Sequence, residues 1–318
     1  MSVPKVTIVV PVYNVSKYLS KCLDSLINQT LKEIEIVLIN DASPDPEDDR
    51  ICKEYVSKDQ RIKYIVHDKN KGLGGARNTG IANTSSNYIG FVDSDDWVEL
   101  NMFEKLYDAI QKEDADVSQC FFTEHIGTQS KTRRLKKFRK QDDFLNATNV
   151  LAWNKLFKKT LFTENKIFFP EHHSLEDIAT IPRLMYFVDS MAQVKESLYN
   201  YMVTREGAIT ANYERIFSDH SVVFNLIKKF MIDKEVWNSH RMFFERRLIR
   251  SLLHDVSRLL KDTVIEEKKK KDMITNGLEK STNLLRYPHK IIQSSLRETK
   301  KSLERYKRIL IIKQLVRF

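Results

Sequence analysis

Asn87-Tyr-Ile-Gly-Phe-Val-Asp-Ser-Asp-Asp-Trp-Val-Glu99 decides how the rest of the chain is read. Tyr88 to Val92 is a run of β-formers with the length of a buried strand, and it leads straight into Asp93, Asp95 and Asp96. Three carboxylates at the mouth of a strand repel one another. They need a cation or hydrogen-bond donors to stay ionised together. Hard oxygen ligands select Mg2+ or Mn2+, ions held by one or two carboxylates while substrate phosphates complete the shell. The stretch therefore predicts a nucleotide-diphosphate site. Taken alone it has a second meaning, a solvated acidic turn in which Asp96 caps the amphipathic segment that follows.

Upstream, strands and helices alternate. Val6 to Val10 is a strand ending at Pro11-Val12-Tyr13-Asn14, and Leu19, Cys22, Leu23, Leu26 and Ile27 then mark one helix face. Ile34 to Ile39 is a second strand that closes on Asn40-Asp41-Ala42-Ser43. A helical segment through Ile51 and Tyr55 leads to a third strand at Ile62 to Val66, and a Gly-rich loop with a helix leads to the Tyr88 strand. This alternation predicts an α/β fold with a mostly parallel sheet covered on both faces. Ligands bind beyond the carboxyl ends of such strands, so Tyr13, Asp41 and Asp93 to Asp95 are expected to converge. Asp41 is placed to accept a hydrogen bond from an imide N–H such as that of uracil, or to serve as an Asx-turn or helix cap. Tyr13 offers a face for stacking a base, or simple loop packing. Between Asn70 and Gly80 the glycines allow close backbone approach, and Arg77 or Lys71 is placed to meet a phosphate. The loop lacks a Walker A ending and does not follow the first strand, so by itself it identifies nothing.

Composition sets the frame. The 318 residues are 42% hydrophobic and 30% charged, ordinary for a soluble globular protein with a large core and a second module. No stretch reads as a signal peptide or a membrane span, so the expected location is cytoplasmic. Cys22, Cys52 and Cys120 have no metal-ligand spacing and read as reduced packing residues. The net charge of +10 is confined to residues 214–318, where 25 Lys and Arg stand against 13 Asp and Glu. Such a tail points to an anionic partner, a membrane surface or nucleic acid.

Pro11-Val12-Tyr13-Asn14, Ser25 to Thr30, Asn40-Asp41-Ala42-Ser43, Ala76-Arg77-Asn78-Thr79-Gly80 and Phe91 to Asp96 together resemble the family 2 glycosyltransferases of the GT-A fold. The likeness covers about residues 4–120 in order. A weaker one continues through Trp153 to Phe157, Glu176-Asp177 and Tyr199-Asn200-Tyr201, similar to bacterial members that build surface polysaccharides. The resemblance implies an inverting enzyme with a nucleotide-sugar donor, most simply a UDP-sugar, and a glycan or lipid-linked saccharide acceptor. It implies that Pro11, Tyr13, Asn14 and Asp41 hold the nucleoside and that Asp93, Ser94 and Asp95 form the Asp-x-Asp motif, with Asp95 the more direct metal ligand. Ala42-Ser43-Pro44 departs from the commoner Gly-Ser-Thr-Asp wording of that turn.

Inversion needs a general base for the acceptor hydroxyl. Glu176-Asp177 opens an apolar helical pattern (Ile178, Ile181, Leu184, Met185), and a helix N-terminus keeps a carboxylate oriented, exposed and ionised. The resemblance assigns the base to Asp177, with Glu176 orienting its neighbours; the plain alternative is a helix cap. Arg205 is a candidate for the leaving diphosphate. His172 and His173 are candidates for metal or diphosphate, and Trp97 and Trp153 for sugar stacking or core packing. Lys131 to Lys140 reads as a basic loop over the site or a solvated run.

Residues 1–212 are thus expected to form the catalytic domain, as a nucleotide-binding half (1–120) and an acceptor half (121–212). Residues 213–318 are expected to form a basic helical module, with Glu266 to Lys271 a solvated face or linker. Leu303 to Phe318 mixes an apolar face with basic residues, which suits an anionic bilayer or a sister subunit. Two other classes are less well matched. A sugar nucleotidyltransferase should carry a phosphate loop directly after the first strand, and a nucleic-acid-binding protein should carry aromatic platforms that the basic tail lacks.

Overall fold

The computed structural model describes residues 3–136, 150–203, 212–262, 264–282 and 284. The chain divides into two compact units, Met1–Ala208 and Ile209–Phe318.

In the first unit β1 (Val6–Val12), α1 (Ser16–Ile27), β2 (Ile34–Asn40), α2 (Pro46–Lys58), β3 (Ile62–Val66), α3 (Gly72–Ala82) and β4 (Tyr88–Phe91) alternate as the spacing predicts. β1 pairs in parallel with β2 and β4, and β2 pairs in parallel with β3. Every residue of β1 and β2 is buried, as expected of central strands covered on both faces. Leu19, Cys22, Leu23 and Leu26 of α1 have no exposed surface, so the helical spacing read from the sequence is the face that packs. Each such apolar side chain contributes about 1.5–3 kcal/mol of burial. Cys22, Cys52 and Cys120 are all buried and free.

Beyond β4 the sheet changes character. β5 (Trp97–Val98), α4 (Met102–Glu113), β6 (Val117–Ile126), β7 (Gln129–Arg133), β8 (Lys155–Lys158), α5 (Thr160–Thr163), α6 (Glu176–Met185) and β9 (Met191–Met202) follow. The strand order is β3-β2-β1-β4-β8-β6-β9-β5, with β7 paired to β6. β8 runs antiparallel to both β4 and β6, β6 is parallel to β9, and β5 is antiparallel to β9. The expected run of parallel neighbours is therefore confined to four strands, and the sheet beyond β4 is mixed. Direction there is set by partners far apart in sequence, Tyr88 with Lys158 for example, which periodicity does not report. Lys131 to Arg133 of the basic run lies in β7, hairpinned to β6; from residue 137 the run lies outside the described residues.

The second unit contains α7 (Tyr213–Asp233), α8 (Trp237–Lys261) and α9 (Glu267–Thr282). Phe217, Phe224, Ile227, Phe244, Leu248 and Leu259 form its apolar interior. The segment read as a solvated face or linker opens α9, and a Cβ at Gly277 would meet the Phe217 ring at 2.8 Å, so these helices approach closely. Leu303 to Phe318 lies outside the described residues. No described helix is long and apolar enough to cross a membrane.

Candidate active site

Because β1, β2 and β4 are parallel neighbours, the loops that follow them share one edge of the sheet. Pro11 is buried within β1 opposite Ile39, whereas Tyr13 and Asn14 emerge, Tyr13 with 43% of its surface exposed. Asn14 adopts a left-handed backbone (φ 52°), and its N–H donates to Ser43 Oγ at 3.0 Å. Ser43 Oγ in turn donates to the buried Asp48 at 2.7 Å, which also accepts from Val15 N–H. The loops after β1 and β2 are thus tied together, and burial raises the Asp48 carboxyl above the usual carboxylate range. Asp41 is also buried. Its Oδ1 meets a His67 ring nitrogen at 2.6 Å and accepts from Lys71 N–H at 2.8 Å, while no described residue hydrogen-bonds Oδ2. The other His67 nitrogen meets Thr79 Oγ1 at 2.8 Å, which joins Asp41 to α3.

Arg77, two residues earlier on α3, holds the second half of the site. Its guanidinium lies near the rings of Phe91 and Phe169, 5.9 and 5.3 Å from their centroids. Nη1 donates to Glu176 Oε1 at 2.8 Å and to Asp177 Oδ1 at 2.5 Å, and Nη2 donates to Asp93 Oδ1 at 2.8 Å. Asp177 Oδ2 accepts from Ala152 N–H at 2.9 Å. One cation among three carboxylates leaves the cluster acid-rich. Burial raises the Glu176 and Asp177 carboxyls, with the Asp177 charge adding to the rise at Glu176, and Arg77 opposes both shifts.

A third anchor comes from β9. Tyr199 donates its hydroxyl to Asp96 Oδ2 at 2.7 Å and accepts from Asp93 N–H at 3.1 Å, and Asp96 Oδ1 accepts from Met202 N–H at 2.7 Å. Asp96 is buried, and burial followed by the charges of Asp95 and Asp93 raises its carboxyl far above the ordinary value. It pins the acidic turn rather than capping a helix; α4 begins after Asn101. Ser94 is buried, and Asp93 and Asp95 keep partial exposure. Two adjacent hard carboxylates suit the protein's share of a Mg2+ or Mn2+ shell completed by phosphate oxygens. Among the described residues no group of three or more His, Cys, Asp or Glu is arranged to hold a metal by itself.

Several expectations need correction. Arg77 does not face a phosphate: it is 1% exposed, and both terminal nitrogens are engaged by carboxylates. Glu176 and Asp177 open α6 as read, yet Glu176 is buried and Asp177 keeps only partial exposure, with Arg77 bonded to both and Ala152 N–H to Asp177. The α3 glycines serve packing. A Cβ at Gly74 would lie 2.2 Å from the Pro170 carbonyl oxygen, and Gly72 has φ +77° with the His172 backbone 3.2 Å from its would-be Cβ. Trp153 is core, stacked on Tyr199 at 4.2 Å and Tyr201 at 5.4 Å, and Trp97 packs on His125 with Lys21 above it. Arg205 lies outside the described residues. Sequence reasoning missed His67, Tyr199 as an anchor, and Lys155. His67 was detectable, since it directly follows a third parallel strand end.

Residues 7–175 match the family described as glycosyl transferase family 2. Glycosyltransferase GlyA of Streptococcus pneumoniae is 37% identical over 224 residues, 65% of this chain and 31% of GlyA, so the chain aligns with about a third of that relative. Putative glycosyltransferase EpsH of Bacillus subtilis is 29% identical over 76% of this chain and 73% of its own length. Poly(ribitol-phosphate) beta-glucosyltransferase of Bacillus spizizenii is 32% identical over 64% of this chain and 33% of its own. S. aureus TarS 1-349 shares the fold in complex with UDP (TM-score 0.67, 20% identity, 91% of this chain and 83% of that one). Its complex with UDP-GlcNAc does likewise (TM-score 0.62, 20% identity, 92% of each chain). With the parallel half-sheet, the acidic turn after β4 and the carboxylate pair on α6 in place, the match over more than half the chain assigns it: the protein belongs to glycosyl transferase family 2, with a GT-A fold.

Proposed function

We propose that the chain is an inverting, metal-dependent glycosyltransferase that moves a hexose or N-acetylhexosamine from a UDP-sugar to a hydroxyl of a glycan or lipid-linked saccharide. The product belongs to a cell-surface polysaccharide such as capsule, lipooligosaccharide or teichoic acid, and the enzyme works in the cytoplasm, at the inner face of the membrane. The observation that carries this reading is the meeting of Asp93 with Glu176 and Asp177 on one guanidinium, beside the strand ends that bear Tyr13 and Asp41. The UDP and UDP-GlcNAc complexes of TarS support the choice of donor.

In this mechanism Tyr13 stacks on the base and Asp41 Oδ2 accepts the imide N–H. Asp93 and Asp95 would hold the divalent ion, whose chemistry is to neutralise charge on the departing diphosphate. Arg205 is proposed for the same diphosphate. Asp177 is oriented through both oxygens, each of which keeps a further lone pair. Burial raises its proton affinity toward that of an effective base. It takes the proton as the acceptor oxygen bonds to the anomeric carbon and the bond from that carbon to the phosphate oxygen breaks. Glu176 holds Arg77, and through it Asp93, in register with the base.

Calorimetry against a panel of UDP-, GDP- and dTDP-sugars with and without Mn2+ fixes donor class and metal dependence. In Asp177→Asn, Arg77 keeps Glu176 and Asp93; transfer is expected to fall by about 10²–10⁴ with donor affinity retained. A folded variant that binds donor and transfers at the wild-type rate removes Asp177 from the mechanism.

A further inference from the structure

Lys155, at the start of β8, is 1% exposed, an unusual place for a lysine. A methionine of similar length would fill the space without burying an amine. Its Nζ donates to Leu151 O at 2.7 Å and to Asn154 Oδ1 at 2.9 Å, and it forms no ion pair with Asp177. The acceptor matters because Leu151 C=O and Ala152 N–H are two ends of one peptide group. The N–H end donates to Asp177 Oδ2 at 2.9 Å. Nζ, peptide and carboxylate therefore form one hydrogen-bonded chain. Donation into the carbonyl polarises the peptide and strengthens the bond its N–H makes at the far end. The loop is fixed from behind as well, since Asn154 Nδ2 donates to Cys120 O at 2.8 Å and Cys120 N–H returns to Asn154 O at 3.1 Å.

We propose that Lys155 is a positioning residue for transfer, which orients and strengthens the Ala152 N–H that holds Asp177 by hydrogen-bonding the opposite end of the same peptide. Its catalytic consequence rests on Asp177 being the base; the hydrogen-bonded chain does not. Arg77 supplies the contact to Asp177 Oδ1, and Lys155 governs the contact to Oδ2. The carboxylate that takes the acceptor proton is then held from both sides, by one contact on each oxygen.

Leu151-Ala152 is the only Leu-Ala step in the sequence, so protein labelled with carbonyl-13C leucine and 15N alanine gives a single linked resonance for this peptide. In Lys155→Met the Ala152 amide proton is expected to move upfield. The kcat is expected to fall about ten- to a hundredfold while donor Kd and KM stay unchanged, because a misoriented base slows chemistry without weakening donor contacts. Lys155→Gln keeps an amide donor in the same space and is expected to recover part of both effects; it also serves if the Met variant does not fold. An unmoved Ala152 resonance, an unchanged kcat, or a kcat loss matched by equal loss of donor affinity overturns the proposal. If Asp177→Asn retains wild-type transfer, the base assignment fails, and the Ala152 resonance still reads whether Lys155 controls that peptide.

Discussion

Arg77 lets Asp93, Glu176 and Asp177 stay close, because one buried guanidinium donates to all three. Its neighbours in Ala76-Arg77-Asn78-Thr79-Gly80 are equally specific. The Asn78 amide pairs with both backbone polar groups of Phe169, at 2.8 and 2.9 Å, and Thr79 carries His67. Gly80 leaves room for Val9, whose side chain would lie 2.2 Å from an added Cβ. Lys155 provides a prediction from charge. Burial lowers its amine from 10.5 to about 7, against the pull of Asp177. Between pH 7 and 10.5 the unfolded chain holds a proton that the folded chain has released, so this residue's contribution to stability rises with pH across that window. Below pH 7 the full cost of burying the ammonium is present. Lys155→Met removes it, so the melting temperature of the variant minus that of wild type is expected to become more positive as pH falls from 9 to 7. The underlying difference in unfolding free energy changes by up to about 1.4 kcal/mol per pH unit. A difference independent of pH would show that the amine is not held neutral.

At the scale of elements, the start of α3 and the loop before α6 work as one piece. The Lys71 carbonyl accepts from His172 N–H at 2.9 Å, and Gly74 lies against Pro170. That contact places α6 so that its first two residues reach Arg77. Gly74→Ala is expected to push this loop away, destabilising the unit by about 1–3 kcal/mol and lowering transfer. Gly127→Ala is the comparison. Its backbone is left-handed (φ +57°) but nothing lies within 4 Å of an added Cβ, so about 1–2 kcal/mol of backbone strain is expected with transfer intact. Thermal melts and initial rates of both variants separate packing from strain; equal loss of transfer in the two would show that the α3 contact has no special part.

For the whole molecule, the excess of Lys and Arg in residues 214–318 predicts binding to vesicles of anionic lipid that weakens steeply with salt. Retention unaffected by salt, or equal on neutral vesicles, would favour a sister subunit as the partner of this region. Local sequence determined the alternating elements up to β4, the buried α1 face and the candidate residues at each strand end. Those depend on side-chain periodicity within a single element, and on the rule that parallel strands put their loops at one edge. Long-range packing alone settles that Arg77 faces carboxylates, that the α3 glycines serve packing, that Asp96 is an anchor, and that Lys155 lies behind the peptide that holds Asp177. The reason is sequence distance: Arg77 and Asp177 are 100 residues apart, and Asp96 and Tyr199 are 103 apart. Such pairs meet only once β8 and β9 have joined the sheet, and no local pattern encodes which distant partner a buried charge will find.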